Sequence, residues 1–200
     1  MIIIKFNDNI EHTYNNFDEI LKLDNYNDIV HINCAYNSLS SLPELPNSLQ
    51  ELYCRHNNLS NLPELPRLLK YLYCGNNSLS NLPKLPDSLI RLNCEVNNLS
   101  SLPKLPDSLI DLYCNNNNIS SFPELPNSLT DLDYKNNPIY SYTHKYFDNN
   151  VYKYLEFNKK MNKIFINKIE NWFLDCKYNP KYLYCRTRLM KEYEDLYANE

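Results

Sequence analysis

Apolar residues in this chain recur with a period of 20. From Leu42 the sequence runs LPELPNSLQELYCRHNNLSN, and from Leu62 it runs LPELPRLLKYLYCGNNSLSN. The copies that start at Leu82, Leu102 and Phe122 read LPKLPDSLIRLNCEVNNLSS, LPKLPDSLIDLYCNNNNISS and FPELPNSLTDLDYKNNPIYS. A degenerate earlier copy over residues 22–41 lacks the proline half but keeps Ile29, Ile32, Cys34, Asn37 and Leu39 in register, which makes about six units. A unit this short cannot bury its leucines alone, so stacked neighbours must bury them jointly and the pattern predicts a solenoid.

Within each unit Leu52 and Cys54, or their equivalents, alternate with an outward residue such as Tyr53. That is the period of a short strand with one buried face. Successive strands recur in the same orientation, so they must pair in parallel. The return path has about a dozen residues and carries Pro43 and Pro46, three apart, which is the period of polyproline II. Proline excludes a helix there. The expected architecture is therefore a parallel sheet on one wall and an extended chain on the other. The Asn at 37, 57, 77, 97, 117 and 137 sits where the strand turns inward. Its amide is expected to satisfy backbone groups of its own coil and of the next one.

A stack exposes apolar faces at both ends, and these need caps. Residues 1–21 are the expected N-terminal cap, with a strand at Ile2, Ile3, Ile4 and Phe6 and a short helix or coil over Phe17 to Leu23. Tyr134 replaces the repeating Cys and Pro138 breaks the pattern, so the solenoid is expected to span residues 22–141. Residues 142–200 read as a helical hairpin cap. Met161, Phe165, Ile169, Trp172 and Cys176 form one apolar stripe, and Tyr182, Cys185, Leu189, Tyr193 and Leu196 a second, with Asn179-Pro180 as the helix start between them.

Each unit contains L-x-x-L-x-C-x-x-N-x-L, for example Leu49, Leu52, Cys54, Asn57 and Leu59. This resembles the leucine-rich repeat, with Cys where Leu or Val is usual. The LPxLP opening and the 20-residue length are similar to the short LPX subclass. That subclass is known from injected bacterial effectors of the Yop and Ipa type, and similar repeats occur in large amoeba-infecting DNA viruses. The segment NWFLDCKYNPKYLYCRTRLMKEYEDL also looks like C-terminal segments of repeat proteins from those viruses, and it assigns no activity. The resemblance covers roughly residues 22–141. It implies an α/β-type leucine-rich-repeat solenoid with a concave parallel sheet and an extended convex side. It further implies a pathogen or viral protein that engages host signalling or ubiquitin machinery.

Composition narrows the chemistry. One glycine against twelve prolines rules out a Gly-rich phosphate loop. A net charge of −4 gives no global field for nucleic acid, and no apolar run approaches a signal sequence or a membrane span. Residues 145–200 hold 11 basic and 8 acidic residues, against 9 and 16 in the remainder. An acidic solenoid with a mildly basic tail fits intramolecular docking, a basic contact surface or a solvated helix face. The expectation is a cytoplasmic protein, in the host cytoplasm if it is viral or an effector, and a monomer without membrane contact. Of seven cysteines, Cys34, Cys54, Cys74, Cys94 and Cys114 fall at period 20 on inward positions, without a C-x-x-C pair or a histidine in step. They read as buried core rather than as metal ligands. Cys176 and Cys185 flank the expected turn and read as a reduced packing pair. Some effectors of this type carry a ubiquitin-ligase domain with a Cys-x-Asp nucleophile. Here Asp175 precedes Cys176 and no Asp follows it two residues later, so catalysis and cofactors are not expected.

Function is expected on the outward strand positions, which vary while the core repeats. Tyr53, Tyr71, Tyr73 and Tyr113, with Arg55 and Arg91 beside them, have the composition of interface hot spots. Asp111, Asp131 and Asp133 make the C-terminal end acidic, which favours a basic protein partner and disfavours nucleic acid. Two other classes remain open at this stage: a ligase-like effector or adaptor, and a structural component of a particle.

Overall fold

The computed structural model describes residues 1–146, together with residues 150, 152, 153, 155, 156 and 159. The chain divides into two compact units, Met1–Asn149 and Asn150–Glu200. The helical hairpin expected from Met161 onward, with Cys176 and Cys185, lies outside the described residues.

Six three-residue strands recur every 20 residues: β3 (His31–Asn33), β4 (Glu51–Tyr53), β5 (Tyr71–Tyr73), β6 (Arg91–Asn93), β7 (Asp111–Tyr113) and β8 (Asp131–Asp133). Each pairs in parallel with the next at a register of one unit, so Ile32, Leu52, Leu72, Leu92, Leu112 and Leu132 form one row. Ile32 to Leu112 in that row are fully buried, as are the five cysteines that follow the strands from Cys34 to Cys114. Each fully buried leucine contributes about 1.5–3 kcal/mol, and it does so only because a neighbouring coil covers it.

The opposite wall is extended chain without helix or strand, as the prolines require. It closes in a turn in which the N–H of Leu49 donates to the Pro46 carbonyl at 3.1 Å, a bond repeated at Leu69, Leu89, Leu109 and Leu129. The turn carries a hydroxyl ladder that the sequence reading overlooked. Ser88 Oγ donates to the carbonyls of Arg67 and Leu69, each at 2.7 Å, on the preceding coil. Ser48 and Ser108 likewise donate to two carbonyls of the preceding coil, and Ser128 Oγ donates to the Leu109 carbonyl at 2.6 Å. Leu68 stands at this position in its unit and is left 54% exposed.

The asparagine ladder forms as expected, with its reach reversed. Asn97 Nδ2 donates to the Cys94 carbonyl of its own coil and to the Cys74 carbonyl of the preceding coil, both at 3.1 Å. Its Oδ1 accepts the Leu79 N–H, also from the preceding coil. Asn57, Asn77, Asn117 and Asn137 repeat the arrangement. The residue before each Asn bends the chain away from the strand, and this forces positive φ at Tyr36, His56, Asn76, Val96, Asn116 and Asn136. Asn tolerates that conformation, whereas a β-branched residue such as Val96 is strained in it.

The N-terminal cap is a hairpin of β1 (Ile2–Lys5) and β2 (Glu11–Tyr14) joined antiparallel to β3, followed by α1 (Phe17–Ile20) and one 3₁₀ turn (Tyr26–Asp28). The first strand is where the apolar run predicted it, with Ile2 and Ile4 buried. β2 was not foreseen, because EHTY carries no apolar alternation. The sheet order is β2-β1-β3-β4-β5-β6-β7-β8. Asn16 caps α1 by accepting the Glu19 N–H at 3.1 Å, while the Glu19 carboxylate accepts the Asn15 N–H at 3.2 Å. At the other end α2 (Pro138–Tyr146) starts within the last repeat and places Ile139 and Thr143 against the core. Thr143 Oγ1 shares a 3.1 Å hydrogen bond with Tyr134, which fills the place of the missing cysteine.

These ladders generate stability changes of opposite sign on neighbouring residues. Asn97→Ala strips the partners from buried backbone groups on two coils and should cost about 3 kcal/mol. Val96→Asn relieves the φ strain and Leu68→Ser restores the missing hydroxyl, so each should add about 1 kcal/mol. Thermal unfolding followed by circular dichroism should show a shift of about 3 °C for each kcal/mol. A lower melting temperature for Val96→Asn would refute the strain argument.

Candidate protein-interaction face

Strand alternation turns the residues that flank each buried leucine onto one open face, and the parallel register aligns them in two rows across the sheet. The first row runs Glu11, Lys5, His31, Glu51, Tyr71, Arg91, Asp111, Asp131. The second runs Thr13, Ile3, Asn33, Tyr53, Tyr73, Asn93, Tyr113, Asp133. Neighbouring side chains in a row are about 4.8 Å apart, close enough for each to set the conformation of the next.

The first row is mostly paired within itself. Lys5 Nζ meets Glu11 at 2.9 Å, and His31 Nδ1 meets Glu51 at 3.0 Å. Arg91 grips one oxygen of Asp111 through Nε at 2.7 Å and Nη2 at 2.6 Å, and donates from Nη1 to the Tyr73 hydroxyl at 3.3 Å. These bonds raise the Arg91 pKa further, so it is charged at every accessible pH. Asp111 is 8% exposed, and its burial is acceptable only because Arg91 neutralises it.

The second row is aromatic in its middle. Tyr53 and Tyr73 stack with centroids 4.6 Å apart and planes 9° apart, and His31 leans on Tyr53 at 5.2 Å. Burial and the neighbouring Glu51 carboxylate push the Tyr53 phenol up to about 12. Tyr113 donates its hydroxyl to Asp131, and this bond holds the Tyr113 pKa at about 12.

The structure thus brings together Tyr53, Tyr73, Arg91 and Asp111 as one connected group, and Tyr113 with Asp131 as a second. Tyr71 lies between Glu51 and Arg91 without a side-chain hydrogen bond among the described residues. Asp133 accepts the Lys135 backbone N–H at 3.2 Å. Arg55 stands apart from the Tyr53–Tyr73 stack. Its guanidinium lies 5.9 Å from the centre of the Tyr36 ring, which stacks on His56 at 4.3 Å. Sequence reasoning missed Tyr36 and His56, because alternation marks only strand positions and these two follow the strands. Their signal was the occupation of the same repeat position by Asn in three other units. At the N-terminal end of the face, a polar cavity of about 460 Å³ opens between the β1–β2 turn and the strands. Lys5, Asn9, His31, Gln50, Glu51 and Tyr53 are among the residues that line it.

The five thiols lie directly beneath this face and are all free. Burial pushes Cys34, Cys74 and Cys114 up to about 12 and Cys54 and Cys94 well above the ordinary thiol range. Among the described residues no group of three or more His, Cys, Asp or Glu is placed to hold a metal ion, and no helix is long and apolar enough to cross a membrane. A thiol whose folded pKa exceeds its unfolded value favours the fold fully below the unfolded value, near 9. That contribution is lost as pH rises toward the folded value. Stability should therefore fall between about pH 9 and pH 12, each thiol adding about 1.4 kcal/mol per pH unit to the slope. Urea titrations across that range should show it, with a shallower slope for Cys74→Ala. Iodoacetamide at pH 8 should leave these five cysteines unmodified in the native protein, and peptide mapping that finds them alkylated would overturn the argument.

Similar chains occur among solved structures. The leucine-rich-repeat domain of a Shigella effector is 43% identical over the match, with a TM-score of 0.54, and the match covers 54% of this chain and 50% of that one. YopM from Yersinia enterocolitica is 37% identical over 50% of this chain and 27% of its own, with a TM-score of 0.41. YopM from Yersinia pestis, described as a leucine-rich effector protein, is 30% identical over 54% of this chain and 43% of its own, with a TM-score of 0.39. The chain therefore matches half or less of the length of each. Protein-family models give no match, and neither do curated protein sequences. With its parallel three-residue strands, 20-residue coils and asparagine ladder, the chain is a leucine-rich-repeat solenoid similar to the repeat domain of the Shigella effector.

Proposed function

We propose that the chain is a non-catalytic protein-binding module whose working surface is the open face of the sheet. The observation that carries this reading is the contrast within each unit. Leucine, cysteine and asparagine recur almost unchanged on the inside, while the outward residues change from coil to coil and are locked to one another. A scaffold that needed no particular surface would have no reason to hold Tyr53, Tyr73 and Arg91 in one arrangement. Stacked tyrosines and an ordered arginine offer broad contact area with little freedom left to lose on binding. Tyr53, Arg55, Tyr71, Tyr73, Arg91 and Tyr113 supply the anchors in this reading, and Asp111, Asp131 and Asp133 set the polarity.

The likeness to a bacterial effector's repeat domain supports a role inside a host cell, in its cytoplasm. In this reading residues 1–21 cap the N-terminal end of a solenoid over residues 22–141. The monomer binds one partner protein without cofactor, membrane or nucleic acid.

Site-specific photo-cross-linking tests the surface. A benzophenone amino acid at Asn93, on the sheet face, should capture a discrete adduct from host-cell lysate. The same group at Asp107, on the opposite wall, should not. Tyr53→Ala with Tyr73→Ala should weaken capture by about 2–4 kcal/mol of binding energy while the protein stays folded. Identical adducts from both positions, or capture indifferent to the tyrosine pair, would sink the reading.

A further inference from the structure

We infer that the β6–β8 end of the sheet face docks a basic segment of a partner protein, presenting arginine side chains to Glu95, Asp131 and Asp133. The inference deepens the proposed function and rests on that reading of the face.

The first argument is charge balance along the rows. At the N-terminal end and in the centre, each acidic group of the first row meets a nitrogen-bearing side chain: Glu11 the Lys5 ammonium at 2.9 Å, Glu51 the His31 imidazole at 3.0 Å and Asp111 the Arg91 guanidinium at 2.6 Å. Beyond Arg91 the compensation stops. Asp131 lies opposite Asp111 in the register, and Asp133 follows on the same strand and the same face. Among the described residues no cation pairs with Glu95, Asp131 or Asp133. Like charges placed opposite one another on a sheet are destabilising. The chain tolerates a concentration of negative charge here that it avoids across the rest of the row.

The second argument is that these carboxylates are held in place. Tyr113 donates to Asp131, the Lys135 N–H donates to Asp133, and Asn93 Nδ2 reaches Glu95 at 3.3 Å. The single glycine of the chain belongs to this arrangement. A Cβ on Gly75 would lie 2.8 Å from Asn93 Oδ1 and 2.9 Å from Glu95 Cγ. Every other unit carries a side chain at this position: Ala35, Arg55, Glu95, Asn115 and Lys135. Gly75 thus makes the room into which Asn93 and Glu95 fold. Its φ is not positive, so the glycine is needed for space and not for backbone freedom.

The third argument fixes the partner chemistry. Tyr113 sits in the second row between Asn93 and Asp133, with carboxylates on several sides of a half-exposed ring. A guanidinium is planar, stacks on such a ring and offers a fork of donors to carboxylates, whereas an ammonium does only part of this. Charge on an edge strand also protects a sheet against extension, and β8 is the last strand of the sheet among the described residues. Edge protection gives no reason for Glu95, which follows β6 and lies two strands inside, nor for the space at Gly75.

Fluorescence anisotropy with the intact chain at about 50 mM salt tests this. The probes are three labelled peptides of one length, each with four charged residues spaced by glycine and serine: arginine, lysine or glutamate. The arginine peptide should bind at least about tenfold more tightly than the glutamate peptide, and more tightly than the lysine one. Glu95→Gln with Asp131→Asn and Asp133→Asn should lose about tenfold. Glu44→Gln with Glu64→Gln and Asp107→Asn, an equal charge change on the opposite wall, should change binding less than about twofold. The face variant should melt no lower than the parent, because repulsion has been removed. Gly75→Ala, which leaves every charge in place, should still weaken binding about threefold by displacing Glu95. Three outcomes would overturn the inference: no preference for arginine, equal losses in both triple variants, or undiminished binding in the face variant accompanied by self-association in light scattering. If the peptides fail while Asn93 still captures a partner, the inference falls and the reading of the face stands.

Discussion

One side-chain amide per coil is the interaction on which the solenoid depends. A strand of three residues pairs few of its own backbone groups, and the chain then turns away with carbonyls and N–H groups pointing into the stack. Asn97 closes that gap by donating to Cys74 and Cys94 and accepting from Leu79. Asp has no donors for the two carbonyls, Gln is one methylene too long, and an apolar residue satisfies neither group. The bonds also fix the period. A one-residue insertion would carry the amide off its carbonyls and turn the leucine row toward solvent. The rigid spacing of 20 in the sequence is thus a hydrogen-bonding requirement as much as a packing one.

What the sequence made legible follows from repetition. Leucine, cysteine and proline positions are written several times over, so their period reads directly as parallel strands and an extended return. Signals written once, or distributed differently, were harder to read. Whether Asn97 reaches forward or back is not encoded in spacing, since the coils on either side present the same groups. Ser48, Ser88, Ser108 and Ser128 repeat plainly, but a hydroxyl in a turn is too common to announce a ladder. The positive φ at Tyr36, His56 and Val96 was hidden because these residues rarely adopt it; only the Asn in sister units betrays the position.

The face was legible in position and not in pairing. Alternation located Tyr53, Tyr73, Arg91 and Asp111 on the open wall, and the register showed which could be neighbours. It did not show that Arg91 would spend its donors on Asp111 and Tyr73. Nor did it show Arg55 turning away to Tyr36. Side-chain choices between adjacent strands depend on which of several nearby partners offers the better geometry, and that is a three-dimensional competition.

The pairing changes how the face must be interpreted. Arg91 acts as a strut, since it neutralises a nearly buried Asp111 and steadies the ring that stacks on Tyr53. Truncating it would leave a carboxylate unpaired in a poorly solvated place and free two tyrosines, so any binding loss would mix contact with preorganisation. The asparagine and serine ladders recur on successive coils whatever outward residues accompany them. The outward rows vary from coil to coil against that constant frame. That separation lets one repeated interior carry a surface that is different on every coil.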